Sequence, residues 1–169
     1  MIPDLWYKNA IIYSLSLDAF QDTDGDGVGD FRGAMRRLDY LQGLGVTAVW
    51  LAPFQPSPRL DHGYDIADYY GVDPRYGSPG DFVEFVNACH QRGLRVIMDL
   101  VVNHCSDQHP WFQAAIDDPT SKFRDYFIWA DKKPADADKD VVFPGVQKST
   151  WTYSRKAGAW YFHRFFKFQ

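Results

Sequence analysis

The feature that most constrains this chain is a repeated order of short apolar runs and amphipathic segments. Ile11 to Leu17 alternates and is rich in β-formers, which predicts a strand. After a Gly/Asp-rich loop, Phe31, Met35, Leu38, Leu41 and Leu44 recur at three- and four-residue steps, which predicts one helix ended by Gly43 and Gly45. Thr47 to Leu51 is a second apolar run between breakers. A long Pro-containing loop then leads to Ser78, where a second helix starts with Pro79 in its first turn and Asp81 and Glu84 early. Phe82, Phe85, Val86 and Cys89 form its apolar face, and Gly93 closes it. Leu94 to Val102 predicts a third strand. Near-continuous apolar strands alternating with helices mean parallel β/α units, with useful loops at the C-terminal strand ends.

Past His104 this order breaks. Trp111 to Ile116 predicts a short helix, residues 131–140 a polar surface loop, and Trp151 to Gln169 a partly alternating β tail. The charge balance is −4, so no basic surface argues for nucleic acid or anionic lipid. No run approaches the roughly 18 apolar residues of a membrane span. Met1-Ile2-Pro3-Asp4 lacks the basic end and apolar stretch of a signal peptide, so a cytoplasmic protein is expected. Cys89 and Cys105 fit no metal spacing and give no disulfide framework. Aromatic residues reach 17%, which suits either stacking platforms for sugars or a large aromatic core. No Gly-rich phosphate loop follows a strand, and no HExxH-type zinc motif is present.

Between Asp22 and Asp30, carboxylates stand at nearly every second position. Hard cations such as calcium take roughly six to eight oxygens, which close-set aspartates around turn-making glycines can supply in part. The loop is similar to the start of an EF-hand, but the twelfth position is Gly33 rather than Glu, and a strand rather than a helix precedes it. The expectation is a structural calcium ion held by the side chains of Asp22, Asp24, Asp26 and Asp30 and the carbonyl of Val28. A solvated acidic turn without metal is the alternative.

Three polar stretches sit at the strand ends or in the tail: Asp61 to Tyr69, Asp99 to His104, and Tyr161 to Phe165. Here a resemblance becomes specific. Asp99 to His104 resembles the first signature of glycoside hydrolase family 13, the α-amylase family. The Asp61–Asp65 stretch and the acidic loop resemble its oligo-1,6-glucosidase and trehalose synthase branches, and Ser106 to Phe112 with Lys148 to Thr152 is most similar to the latter. His62 and Cys105 depart from the pattern, where an acidic or amide residue and a threonine are expected.

The resemblance runs from about Trp6 to Gln169. It implies an α/β fold: the first three β/α units of a (β/α)8 TIM barrel over residues 1–104, then most of an inserted domain B over 105–169. It also implies a retaining enzyme that forms a covalent glucosyl intermediate. Its nucleophile and acid would lie beyond Gln169, itself the first residue of a domain B signature, so no catalytic residue is assigned and this piece alone is expected to be inactive. Asp61 would accept from hydroxyls of a terminal glucose, Tyr64 would stack on that ring, and His104 would hydrogen-bond it. Asp99 and Asn103 would hold the architecture, Asp65 and Asp68 would cap turns, and His109 and His163 read as structural. The implied substrates are small α-linked gluco-oligosaccharides such as maltose or trehalose. The implied reaction is their interconversion by glucosyl transfer, with exo-acting hydrolysis as the alternative. A non-catalytic family relative and a standalone calcium module are more remote.

Overall fold

The computed structural model describes residues 5–169; the leader-free start read at Met1–Asp4 lies outside them. The chain divides into two compact units. One runs through Pro56 and resumes over Tyr70–Leu100; the other comprises Ser57–Tyr69 and Val101–Gln169.

The first unit is built on three parallel strands in the order β1-β2-β3: β1 (Ile12–Leu15), β2 (Ala48–Leu51) and β3 (Arg95–Met98). Their register places Tyr13, Val49 and Val96 side by side, and likewise Leu15, Leu51 and Met98. Tyr13, Leu15, Val49, Leu51 and Val96 face a core completed by Phe31, Ala34, Leu38, Leu41, Phe85 and Cys89. Successive strand residues alternate faces, so Ile12 and Trp50 emerge on the other side, 47% and 40% exposed.

Each strand is shorter than its apolar run, for one reason. A strand extends only while its neighbour offers ladder partners, and all three stop together at Leu15, Leu51 and Met98. Two further bonds, from Ala52 N–H to the Leu15 carbonyl and from Asp99 N–H to the Leu51 carbonyl, end the ladders. Leu17 instead opens a 3-10 turn (Leu17–Ala19) and still buries its side chain. Leu100 and Val102, expected in β3, are exposed.

The expected single helix over 31–44 is two: α1 (Phe31–Arg36) and α2 (Leu38–Gly43). At Arg37 the N–H reaches the Ala34 carbonyl three residues back, a tighter turn than α-helix. The apolar face survives the break as Phe31, Ala34, Leu38 and Leu41, while Leu44 is exposed. Close packing also dictates glycine here. A Cβ on Gly33 would lie 1.9 Å from the Gln21 carbonyl oxygen, and one on Gly29 would lie 2.0 Å from that of Leu17.

Helix α3 (Pro79–Gln91) starts on a reciprocal capping box. Ser78 Oγ accepts from Asp81 N–H, and the Asp81 carboxylate accepts from Ser78 N–H at 2.8 Å. The other Asp81 oxygen accepts from Arg32 Nε at 2.9 Å, tying α1 to α3.

The second unit holds α4 (Pro110–Asp117) and an antiparallel sheet of β4 (Trp129–Ala130), β5 (Trp151–Ser154) and β6 (Ala159–Phe162), ordered β4-β6-β5. Its core is aromatic. Phe112 stacks on Trp129 and meets Phe127 and Tyr161 edge-on, and the Arg124 guanidinium lies 3.6 Å over the Trp129 ring. Phe31, Phe54, Phe82 and Phe85 cluster likewise in the first unit, so part of the aromatic content is core. The 131–140 stretch is exposed apart from a few residues, and Ala137 is buried, its carbonyl accepting from Ser149 Oγ and Thr150 N–H. Among the described residues no helix is long and apolar enough to cross a membrane.

Hydrogen bonds from Ser78, joined by the Arg32 guanidinium, hold the Asp81 carboxyl down at about 2. An unfolded aspartate titrates near ~3.9. The stabilisation is therefore fully present above roughly pH 4 and is lost as pH falls through about 2. Urea midpoints of wild type and Asp81→Asn should differ most near about pH 6 and converge toward about pH 2, whereas Ser78→Ala should cost about 1 kcal/mol near neutral pH.

Candidate functional site

The Ser57–Tyr69 segment is shaped by Asp65, a fully buried carboxylate. It accepts from Ser57 Oγ at 2.7 Å, Leu60 N–H at 2.9 Å and Asp61 N–H at 3.3 Å. This is the turn-capping role expected of it. Immediately after, Tyr64 N–H donates to the Asp61 carbonyl at 2.9 Å. The two residues between, His62 and Gly63, have φ of 50° and 99°, as in a type I′ turn. Gly63 supplies a conformation that side chains resist, and His62 is among the residue types that tolerate it. The turn sets Asp61 and Tyr64 at its two ends, with Asp61 partly buried and Tyr64 at the surface.

His104 closes the group. Its Nε2 lies 3.1 Å from the Tyr64 carbonyl, and its Nδ1 lies 3.1 Å from the Asn103 side-chain amide nitrogen. A carbonyl only accepts and an amide nitrogen only donates, so Nε2 carries the proton and Nδ1 accepts. Burial holds the imidazole below its ordinary value; the Tyr64 carbonyl and the charges of Asp61 and Asp65 pull the other way. Tyr69 Oη donates to the His104 backbone carbonyl at 2.6 Å, and the Phe165 ring meets the imidazole edge-on at 5.2 Å. The three sequence-derived sugar residues are thus linked: Asp61 to Tyr64 through the turn, and Tyr64 to His104 through its carbonyl. The His104 proton is directed at the backbone of the turn, which the imidazole braces. Asn103 fixes the imidazole.

Sequence reasoning missed one partner. Gln169 Nε2 donates to Asp61 Oδ2 at 2.7 Å across 108 positions, a separation at which no local pattern carries a signal. The remaining polar groups are structural. His109 accepts from Trp111 N–H and caps α4. His163 spans the Phe165 carbonyl and Thr152 Oγ1. Burial pushes the thiols of Cys89 and Cys105 up to about 12, which makes them inert.

In the first unit, the acidic loop folds on its own backbone. Asp22 accepts from the N–H groups of Asp24, Gly25 and Gly27, and these bonds, that of Gly25 first, lower its carboxyl pKa. Asp30 accepts from Thr23 N–H and Oγ1 and, through its other oxygen, caps α1 at Gly33 N–H. Asp22, Asp24 and Asp30 each bring a carboxylate oxygen within 4.8 Å of the others. Asp26, expected beside them, is not in that group; its carboxylate accepts from Val28 N–H at 2.7 Å. Three converging carboxylates suit a hard cation, whose further oxygens would come from backbone or water.

The alpha amylase catalytic-domain model matches residues 12–169. Trehalose synthase of Pimelobacter sp. (strain R48) is 44% identical over 97% of this chain and 29% of its own length. Glucan 1,6-alpha-glucosidase of Streptococcus pneumoniae serotype 4 is 45% identical over 97% of the chain and 30% of its own. The crystal structure of Bacillus licheniformis trehalose-6-phosphate hydrolase superposes with a TM-score of 0.88 at 41% identity, covering 97% of this chain and 30% of that one. The chain thus spans about three tenths of the length of the curated relatives it matches. With a domain match across nearly all of its residues and relatives above 40% identity, this chain belongs to the α-amylase family of catalytic domains, glycoside hydrolase family 13.

Proposed function

We propose that this chain is the glucose-recognising front part of a retaining α-glucoside-active enzyme that interconverts maltose and trehalose by glucosyl transfer. The observation that carries the reading is the Asp61–Tyr64 turn braced by His104. It presents a carboxylate and an aromatic ring at its two ends, the groups that accept from sugar hydroxyls and cover an apolar sugar face, while the imidazole braces the turn through the Tyr64 carbonyl. In the full reaction a carboxylate outside this chain attacks the anomeric carbon, and a carboxylic acid protonates the leaving oxygen. Transfer and hydrolysis then differ only in whether a sugar hydroxyl or water takes the glucosyl group. The similarity to trehalose synthase favours transfer; the equal similarity to a glucan 1,6-alpha-glucosidase keeps exo-hydrolysis as the second reading.

In this reading β1–β3 with their helices are the first three units of a (β/α)8 barrel, and the antiparallel sheet belongs to its inserted domain B. The exposed Ile12 and Trp50 face supports this, since the inner face of a barrel strand is apolar and packs against side chains from the other strands. The Asp22–Asp30 loop binds a structural calcium ion through Asp22, Asp24 and Asp30. Two buried, unbridged cysteines suit a reducing, cytoplasmic setting.

Product analysis tests the function. The full-length enzyme incubated with maltose should yield trehalose. Glucose alone would replace transfer by hydrolysis, and no turnover of any α-glucoside would overturn both readings. Asp61→Asn should lower kcat/KM about 10- to 100-fold, the range for a lost hydrogen bond to a charged group, whereas the 169-residue chain alone should show no turnover.

Calcium is tested independently of activity. Titration calorimetry should detect one site, and calcium at about 100 times its Kd should add about 2.7 kcal/mol to stability, read as a raised thermal midpoint. Asp24→Asn should weaken both. No heat and an unmoved midpoint would leave the loop as a solvated acidic turn.

A further inference from the structure

Gln169 is 8% exposed, and each end of its side-chain amide has a partner. Nε2 donates to Asp61 Oδ2 at 2.7 Å, while Oε1 accepts from Phe166 N–H at 3.3 Å. Because a backbone N–H occupies the oxygen, the nitrogen is the atom turned to the carboxylate. The turn carrying Gln169 is itself fixed. Gln169 N–H closes it onto the Phe166 carbonyl at 2.9 Å, Tyr161 Oη donates to the Lys167 carbonyl at 2.7 Å, and Asp107 N–H donates to the Phe168 carbonyl at 2.9 Å. Tyr161 is a core residue of the same unit. The amide therefore stands on a rigid support.

Asp61 needs such a partner. Its backbone is pinned by the turn, but the terminal torsion of an aspartate is broad, with no sharp well to fix the carboxylate plane. One bond to Oδ2 selects a plane and so directs Oδ1. A carboxylate that accepts from two neighbouring sugar hydroxyls gains affinity when that plane is set beforehand, because the ordering is not left to the binding step. The donor is also neutral. A lysine or arginine would offset the charge that makes the carboxylate a strong acceptor, whereas a glutamine amide orients it and leaves its charge in place.

We infer that Gln169 is a positioning residue for sugar recognition, fixing the Asp61 carboxylate in the plane that receives the hydroxyls of a terminal glucose. This rests on the glucose-binding reading of Asp61 given above.

The test uses the full-length enzyme and maltose, with kcat/KM measured for Asp61→Asn, Gln169→Ala, Gln169→Glu and the double variant Asp61→Asn/Gln169→Glu. Thermal midpoints are taken in parallel. Gln169→Ala should lose about tenfold, the scale of one hydrogen bond to a charged acceptor. Gln169→Glu should lose more near pH 7, because it sets two carboxylates face to face. Its rate relative to wild type should climb as pH is lowered toward about 5, where the introduced glutamate takes up a proton and donates again. In the double variant the donor and acceptor exchange sides, so its rate should exceed the product of the two single defects.

If Gln169 only stabilises the turn, the alanine and glutamate variants lose activity in step with their thermal midpoints, the relative rate is flat with pH, and the defects multiply. That outcome overturns the inference. If Asp61→Asn itself leaves maltose turnover unchanged, the glucose-binding reading of Asp61 fails instead, and the two failures are distinguishable.

Discussion

The candidate site depends on a carboxylate that is not in it. Asp65 is fully buried, and a polar group away from water needs hydrogen-bond partners to offset its desolvation. The Ser57 hydroxyl and the N–H groups of Leu60 and Asp61 supply them. Meeting that demand curls Ser57–Asp65 around one point, and the Asp61–Tyr64 turn within that span leaves Asp61 partly buried and Tyr64 at the surface. Among the described residues no buried side-chain polar atom is left without a partner. Removing the carboxylate would leave three donors unpaired and the turn without its pivot.

His104 is the second constraint and works in the same currency of hydrogen-bond satisfaction. A half-buried imidazole between a carbonyl and an amide nitrogen has one consistent proton arrangement, with Nε2 protonated and Nδ1 accepting. Burial disfavours the charged ring, and the neutral form already uses both nitrogens. The histidine therefore acts on the site through the Tyr64 backbone. A sugar oxygen approaching Nε2 would have to share its proton with a carbonyl that the turn needs. Asp61 stands on different ground: its Oδ2 accepts from Gln169, a residue far along the chain.

What the sequence made legible follows from range. The period of apolar residues showed three strands and their helices because each element's buried face is written within its own span. Strand ends were overread because an apolar residue signals burial rather than pairing, and Leu100 and Val102 lie beyond the last ladder partner of β3. The break at Arg37 was invisible because the 31, 34, 38, 41 spacing is the same on one helix or two. Asp61, Tyr64 and His104 were reached through a family resemblance, since no local rule separates a sugar-binding tyrosine from a packing one. The Asp61–Gln169 bond spans most of the chain and depends on how the Phe166–Gln169 turn is anchored, which only coordinates display.

In the acidic loop the count of aspartates differs from the number whose carboxylates converge. Four carboxylates alternate in sequence, yet each has a hydrogen-bonding task that decides whether it can face a common point. Asp22 gathers three backbone N–H groups and so curls the loop inward. Asp30 is fixed by Thr23 and by its capping of α1. Asp24 is carried into the same space by the curl, whereas Asp26 is turned to Val28 N–H. Backbone capping, more than negative charge, thus sorts the four into three that converge and one that does not. Because Asp30 also starts α1, any cation drawn to that point would bear directly on the helix that carries Phe31 and Ala34 into the core, which couples the loop to the packing of the parallel sheet.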